Sequence, residues 1–181
     1  VLGKSGALTE GRPSLTEVRG ADGFERTQVL RLVAAAEAHS EHLIAQALVA
    51  AAGNDLPRAD SVEAIPGYGL QAKVDGHALL IGADRLMVRE GIEIGDLSDT
   101  ATTIAKRGET PLYAAIDGQI AAVIAEADPI KAGTRAAIQA FHDQGLKVAM
   151  ITGDNAATAA AIAADLGIDE IQAECLPAQK V

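Results

Sequence analysis

Ten residues decide the fold: Leu146-Lys147-Val148-Ala149-Met150-Ile151-Thr152-Gly153-Asp154-Asn155. Five of the first six are apolar, a run too short for a buried helix, and a polar turn follows. Residues 156–166 are rich in helix formers and are followed by Gly167. This order predicts a buried parallel strand, a tight turn and a helix. Backbone N–H groups and a threonine hydroxyl at such a turn suit a phosphate, although a well-capped corner without a ligand has the same pattern.

The composition limits the class of protein. The chain has 181 residues, enough for one domain or two small ones, and a net charge of −10. This charge argues against nucleic acid as the main partner, because binding to a phosphate backbone needs clustered Lys and Arg. A nucleotide held by backbone amides stays compatible with it. Cys175 is the only cysteine, so we expect it to be a small core residue without a disulfide. No apolar run reaches the roughly 20 residues of a membrane span, and no signal-peptide pattern opens the chain, so we expect a soluble, cytosolic polypeptide.

The first thirteen residues combine a strand end with a loop. Residues 1–2 are typical of a strand, and residues 3–13 contain three glycines and a proline. Gly3-Lys4-Ser5 matches the tail of a phosphate-binding P-loop. A P-loop continues directly into a helix, whereas Gly6 and Pro13 interrupt any helix here, so a plain loop is favoured.

A helical hairpin is predicted next. Residues 27–38 and 41–51 carry apolar residues at helical spacing, and Ser40 is placed to cap the second helix. The corner contains His39, Glu41 and His42. It is compatible with a solvated turn, with a base site where imidazole stacks on a purine and carboxylate accepts from an exocyclic amine, or with a metal site. The solvated turn is favoured and the metal site is the least favoured.

An antiparallel sheet is predicted over the rest of residues 14–125. Strands are indicated at 14–19, 61–65, 69–74, 77–81, 112–116 and 120–125, with short helices at 83–90 and 97–106. Asp75-Gly76 and Asp117-Gly118 are strong signals for two-residue hairpin turns. The glycines of the turn at 66–69 allow a ligand to approach the backbone closely. We expect an α+β unit with helices on one face of the sheet.

From residue 128 onwards, helices and strands alternate. A helix at 133–144 precedes the opening strand, and a short strand is expected at 171–173. The first strand of this sheet must be residues 1–2, from the far side of the α+β unit. We therefore predict an α/β protein in which an α+β domain, residues 14–126, is inserted into an incomplete Rossmann-like domain, residues 1–13 and 127–181.

The motifs, in this order, resemble the cytosolic ATP-binding part of heavy-metal-transporting P-type ATPases, most closely bacterial copper(I) exporters. Residues 3–11, GKSGALTEG, resemble the phosphorylation motif DKTGTLTEG, and residues 40–43, SEHL, resemble the SEHP signature. Gly67-Tyr68-Gly69 matches the GxG turn, and Gly82 matches the first residue of a Gly-Asn pair. Thr110-Pro111, residues 128–131 (DPIK) and residues 152–155 (TGDN) match at the right separations.

The resemblance implies site residues and a haloacid-dehalogenase-type fold for the Rossmann-like domain. The nucleotide-binding set would be Glu41, His42, Gly67, Gly69, Gly82, Asp128, Lys131, Thr152, Gly153 and Asp154. The catalytic set would be Gly3 (the position of the phosphorylated aspartate), Lys4, Thr152 and Lys180. Glu41 and His42 would recognise adenine, and Lys180 would neutralise charge on the transferred phosphoryl group. No metal ligand is assigned within the chain.

The departures from the family pattern predict an inactive chain. Gly3 stands where the nucleophile would be, and glycine cannot form an acyl phosphate. Ser5 and Ala7 replace two threonines, Leu43 replaces the proline of SEHP, and Ala83 replaces the asparagine of the Gly-Asn pair. The GDGxND motif, whose aspartate helps hold Mg²⁺, is not among the residues. We expect ATP binding without turnover.

The resemblance implies that the chain is part of a copper-type transporter at the cytosolic face of a bacterial inner membrane. In the parent protein, ATP hydrolysis through an aspartyl phosphate would drive metal export, with ATP and Mg²⁺ as cofactors. The partners would be ATP or ADP, the membrane helices, the actuator domain and the rest of the phosphorylation domain. One alternative is a non-catalytic nucleotide-binding or regulatory module. Another is a soluble dehalogenase-like phosphatase with a large cap, which needs an aspartate at position 3.

Overall fold

The computed structural model describes residues 1–176, which form two sheets. The strands are β1 Leu2–Gly3, β2 Ser14–Gly20, β3 Ala59–Ile65, β4 Gly69–Val74, β5 His77–Gly82, β6 Thr110–Ile116, β7 Gln119–Ala127, β8 Ala149–Ile151 and β9 Glu170–Gln172. The helices are α1 Arg26–Glu37, α2 Ala45–Ala52, α3 Asp84–Arg89, α4 Leu97–Lys106, α5 Thr134–Asp143 and α6 Ala156–Leu166. A single wide turn, Lys4–Leu8, follows β1. The predicted mixture of an antiparallel and a parallel sheet is confirmed.

The antiparallel unit, which we define as β2 to β7 with α1 to α4, is one six-stranded sheet in the order β2-β7-β6-β5-β4-β3. Asp75 and Gly76 have φ of 51° and 79°, and Asp117 and Gly118 have 49° and 81°. Positive φ at both central residues is what a two-residue turn needs to match the twist of its strands. The two predicted hairpins are therefore confirmed.

Helices cover both faces of this sheet, so the expectation of helices on one face is wrong. On β6, Ala114 and Ile116 pack in the core with α1 and α2, whereas Tyr113 and Ala115 pack in the core with α3 and α4. Successive strand residues point to opposite faces. A strand that is apolar at every position therefore buries its surface only if both faces are covered.

Helix α2 begins later than expected, at Ala45 rather than residue 41, with Ile44 at its N-terminal boundary. The predicted cap by Ser40 is wrong, because no side chain caps this helix. The Ser40 hydroxyl instead donates to a carboxylate oxygen of Glu37, at the end of α1. Residues 41–44 are left as a connecting turn.

The parallel unit, which we define as β1, β8 and β9 with α5 and α6, has the strand order β1-β8-β9, with every pairing parallel. Asn155 Oδ1 accepts from the Thr158 amide at 2.8 Å and caps α6. Gly167 follows the helix in the left-handed conformation, with φ of 72°. The strand, turn and helix predicted from residues 146–167 are confirmed, and residues 1–2 lead into the predicted first strand.

Two further predictions concern Cys175 and membrane-spanning helices. Cys175 is buried, as expected of a core residue, with 4% of its surface exposed. In the part of the chain that the structure describes, every helix is too short or too polar to cross a membrane.

Candidate functional site

The carboxyl ends of β1 and β8 bring two distant segments together. The strands run side by side, with Gly3 paired to Ile151, so the residues that follow each strand are neighbours. Lys4 Nζ lies 2.5 Å from Asp154 Oδ2, and only 8% and 11% of the two side chains are exposed. The structure therefore joins predicted site residues from both ends of the chain in one ion pair.

Hydroxyl groups fix the Asp154 carboxylate. Thr152 Oγ1 donates to Oδ2 at 2.8 Å, and Thr110 Oγ1 donates to Oδ1 at 3.0 Å. The Asp154 amide donates back to Thr152 Oγ1 at 3.2 Å. Thr110 belongs to β6, so the antiparallel unit helps to hold the turn of the parallel unit in place.

Gly3 has room for a side chain. Its φ and ψ are −73° and 155°, an extended conformation open to any residue. A Cβ at this position meets no other atom within 4 Å. The backbone at position 3 is therefore compatible with an aspartate beside Lys4.

One cavity of about 400 Å³ lies between the two units, and its lining includes His42, Gly67, Gly69, Gly82 and Gly153. The structure thus brings together the imidazole corner, the glycine turn and the polar turn after β8. Glu41 is not in this lining; together with His42 it lines an adjacent cavity of about 980 Å³ beside α2. The expectation that Glu41 and His42 act side by side on one base therefore stays a prediction.

Glu37 is the acid that His42 contacts. Both carboxylate oxygens of Glu37 lie 3.0 Å from His42 Nδ1, and Glu37 is fully buried. The hydrogen bond to this carboxylate raises the pKa of His42 above its usual value, against an opposing effect of burial. The contact also fixes the ring orientation, leaving Nε2 as the nitrogen that can face a ligand. Sequence reasoning missed Glu37, although its position on the apolar stripe of α1 was a signal.

The glycines at the strand ends have a packing role. A Cβ on Gly69 lies 2.0 Å from the Ile81 carbonyl oxygen, and a Cβ on Gly82 lies 2.1 Å from that of Tyr68. Gly69 and Gly82 are paired in adjacent strands. Their lack of side chains is therefore required by the close approach of β4 and β5, before any ligand is considered.

Two further charged residues line the cavity and were missed from the sequence. Arg85 lies at the start of α3, and Glu126 lies in β7 opposite Thr110. Burial raises the pKa of Glu126 to about 7; nearby Lys4 opposes this rise, and Asp154 and Asp128 add to it. Glu126 therefore takes up a proton near neutral pH. Neither residue stands in a motif, so only the packing reveals them.

Asp128 and Lys131 tie the N-terminal loop to the junction between the units. The Thr9 hydroxyl donates to Asp128 Oδ2 at 2.5 Å, and the Arg12 amide donates to Oδ1 at 3.0 Å. Lys131 Nζ donates to the Gly6 carbonyl. Neither residue lines the cavity between the units. These hydrogen bonds indicate a role at the junction between the units, and the predicted nucleotide contact of Asp128 and Lys131 stays a prediction.

Two expectations concern metal and Lys180. Residues 1–176 contain no group of three or more His, Cys, Asp or Glu side chains that could hold a metal ion. The metal-site alternative for the corner at 39–42 therefore lacks a set of three such ligands there. Lys180 lies outside the described residues.

Comparison with known proteins gives consistent matches. A family model described as haloacid dehalogenase-like hydrolase matches residues 1–181. Copper-transporting ATPases 1 and 2 of Rhizobium meliloti (strain 1021) are 53% and 50% identical over 183 residues. Both alignments include 99% of this chain, which spans only 22% of each relative's length.

Solved structures agree with these matches. A zinc-transporting PIB-type ATPase in the E2.Pi state has a TM-score of 0.64 and 32% identity, covering 98% of this chain and 29% of that one. The N-domain of HMA6, a copper-transporting P-type ATPase, has a TM-score of 0.54 and 26% identity, covering 64% of this chain and 99% of that one. The expected resemblance to heavy-metal P-type ATPases is confirmed.

Proposed function

Because the chain belongs to the haloacid dehalogenase-like hydrolases, we propose that it is the cytosolic ATP-binding part of a copper-transporting P-type ATPase. The antiparallel unit corresponds to a nucleotide-binding domain, residues 14–126. The parallel unit corresponds to part of a phosphorylation domain, residues 1–13 and 127–181. Its proposed partners are ATP or ADP and the rest of a bacterial membrane transporter, on the cytosolic side.

The observation that carries the proposal is the single cavity that His42 and Gly153 line together. A nucleotide has an aromatic base at one end and phosphates at the other. An imidazole can stack on or hydrogen-bond to a base, and the turn after β8 carries backbone N–H groups and a hydroxyl suited to phosphate. The base would lie near His42 and Gly67, and the phosphates near Gly153.

The chemistry of phosphoryl transfer depends on the residues around position 3, at the phosphate end of the cavity. In a protein with aspartate at position 3, a carboxylate oxygen would attack the γ-phosphorus and ADP would leave with the electrons of the broken bond. Water would later hydrolyse the acyl phosphate. Lys4 places a positive charge next to this position, and the Thr152 hydroxyl, which donates to Asp154, helps to fix the turn beside it. Phosphoryl transfer depends mainly on such positioning and charge compensation. Mg²⁺ would neutralise phosphate charge in the whole protein.

A pair of histidine variants tests the proposal. In a titration followed by NMR chemical shifts, we expect ATP to shift resonances around His42, Gly67 and Gly153. We expect His42→Ala to weaken ATP binding by about five- to ten-fold, the loss of a single hydrogen bond or stacking contact. His39→Ala is the matched control, because His39 is an exposed histidine outside the cavity lining.

The result that would contradict the proposal is equal weakening by the two substitutions, or chemical shifts confined to the chain termini. Chemical shifts at Glu41 as large as those at His42 would support the prediction that the two residues recognise the base together.

A second candidate function is a nucleotide-binding or regulatory module without catalysis, and Gly3 is the observation that favours it. Glycine has no group that can accept a phosphoryl group. The two functions differ when the protein that contains this chain carries aspartate at position 3, since only a transporter then forms an acid-stable, hydroxylamine-labile phosphoenzyme when ATP is supplied.

A further inference from the structure

Arg85 is a half-buried cation at the boundary between the two units. Its Nε donates to the Gly67 carbonyl at 2.7 Å, and its Nη1 donates to the Gly153 carbonyl at 3.1 Å. Gly67 belongs to the antiparallel unit and Gly153 to the parallel unit. The guanidinium therefore spans the cavity wall from the glycine turn to the turn after β8.

The charge of Arg85 is not compensated by an acid. Lys4, the other cation near that turn, is paired with Asp154 at 2.5 Å. Within residues 1–176, Arg85 makes no ion pair with a carboxylate. A half-buried guanidinium without an anionic partner attracts an anion strongly, because the local dielectric is below that of water.

Tyr68 adds a constraint on the guanidinium. The Arg85 Cζ lies 5.9 Å from the centroid of the Tyr68 ring, within the range of a cation–π contact. Together with the two carbonyl hydrogen bonds, this contact limits the side chain to a small range of orientations. A guanidinium held in one orientation loses little entropy when its N–H groups bind phosphate oxygens.

We propose that Arg85 binds the phosphate groups of the nucleotide and so makes the cavity select ATP over adenosine. This inference rests on the proposed function. The bound phosphates lie beside the Arg85 guanidinium, next to the turn that contains Gly153, while the base lies towards His42. Arg85 thereby couples the two units to the ligand, since the same side chain contacts a carbonyl from each.

The test measures the affinities for ATP and for adenosine separately. We expect Arg85→Gln to weaken ATP binding about ten-fold, the value of one charge-assisted hydrogen bond, and to leave adenosine binding within about two-fold. Arg85→Lys keeps the charge and is expected to retain more ATP affinity than Arg85→Gln. Calorimetric titration of the whole chain gives both affinities, and circular dichroism checks that each variant is folded.

Arg89→Gln is the matched control. Arg89 contacts the same ring, with Cζ 5.3 Å from the centroid, and carries the same charge, but it does not line the cavity. We expect this variant to bind ATP and adenosine as the parent chain does, so that an effect of net charge alone is separated from binding.

The outcomes distinguish the inference from the proposed function. If Arg85→Gln weakens ATP and adenosine equally, Arg85 only holds the cavity wall together and the inference is overturned. If the unsubstituted chain binds neither ligand, the proposed function fails with it. If Arg85→Gln does not fold, equal losses of both ligands in Arg85→Lys overturn the inference in the same way.

Discussion

The antiparallel unit and the parallel unit differ in how much of a core each one possesses. The described residues of the antiparallel unit bury clusters of twenty and ten apolar residues on the two faces of its sheet, whereas those of the parallel unit bury a cluster of eight. Strands β1 and β8 have only two and three residues. Three-stranded sheets of such short strands are marginal on their own.

Contacts from the larger unit support the smaller one. The Thr158 hydroxyl of α6 donates to the Glu109 carbonyl at 2.9 Å, and the Thr110 hydroxyl reaches Asp154. The candidate site lies where these contacts join the two units. This comparison teaches that the proposed phosphate end is built on the unit with the smaller core and the proposed base end on the unit with the larger one; parts of a site that move are commonly drawn from such weakly packed regions.

The largest expected effect tests the ion pair of the parallel unit. Asp154→Ala leaves the nearly buried Lys4 ammonium without its partner, and breaking a buried pair in this way costs about 3–5 kcal/mol. Urea unfolding followed by circular dichroism gives the free energy of unfolding. Asp165→Ala is the control, because its ion pair with Arg135 is exposed: the side chains of Arg135 and Asp165 are 59% and 55% exposed. We expect this substitution to lower the free energy of unfolding by less than about 1 kcal/mol. If Asp154→Ala lowered the free energy of unfolding as little as Asp165→Ala does, the parallel unit would not depend on its buried ion pair.

A smaller effect is expected from close packing in the antiparallel unit. Gly69→Ala places a methyl group against the Ile81 carbonyl, at a φ of 146°, and we expect a loss of about 3 kcal/mol. Thermal unfolding measures this loss. Gly133→Ala is the control in the parallel unit, since a Cβ there meets nothing within 4 Å. If Gly69→Ala were as mild as Gly133→Ala, the pairing of β4 with β5 would be looser than its geometry indicates.

The smallest effect concerns pH at the junction of the units. Burial raises the pKa of Glu126 from 4.5 to about 7, so the folded state binds a proton that the unfolded state has released. The free energy of unfolding should therefore fall as pH rises from about 4.5 to about 7, by roughly 2–3 kcal/mol. Glu126→Gln should remove this fall.

Two further measurements isolate the contribution of Glu126. The pKa of His42 is also raised above its ordinary value, so the stabilising contribution of the protonated imidazole is present at low pH and is lost as pH rises through that raised pKa. That loss should persist in Glu126→Gln in reduced form, because Glu37 raises the pKa of His42 more than Glu126 does. Glu93→Gln, which removes an exposed carboxylate, should leave the pH dependence unchanged. An unaltered pH dependence in Glu126→Gln would show that the Glu126 carboxyl is hydrated and not buried.

The parts predicted well from the sequence are those set by near neighbours in the chain. Asp75-Gly76 and Asp117-Gly118 specify their turns through backbone conformation, and Asn155 caps α6 through a hydrogen bond three residues along. The start of α2 was missed because Ser40 had two possible partners. The buried Glu37 carboxylate took its hydroxyl, which left the helix to begin at Ala45 without a side-chain cap.

By itself, therefore, the sequence determined the two kinds of sheet, their hairpins and the strand-turn-helix at residues 146–167, because each depends on periodicity or on contacts between nearby residues. Only the tertiary structure decided that Glu37 is the acid beside His42, that Glu41 lies outside the cavity, and that Arg85 and Glu126 line it. The physical reason is that a cavity wall is made by residues far apart in the chain. Which of their side chains face it depends on how two separately formed sheets pack against each other.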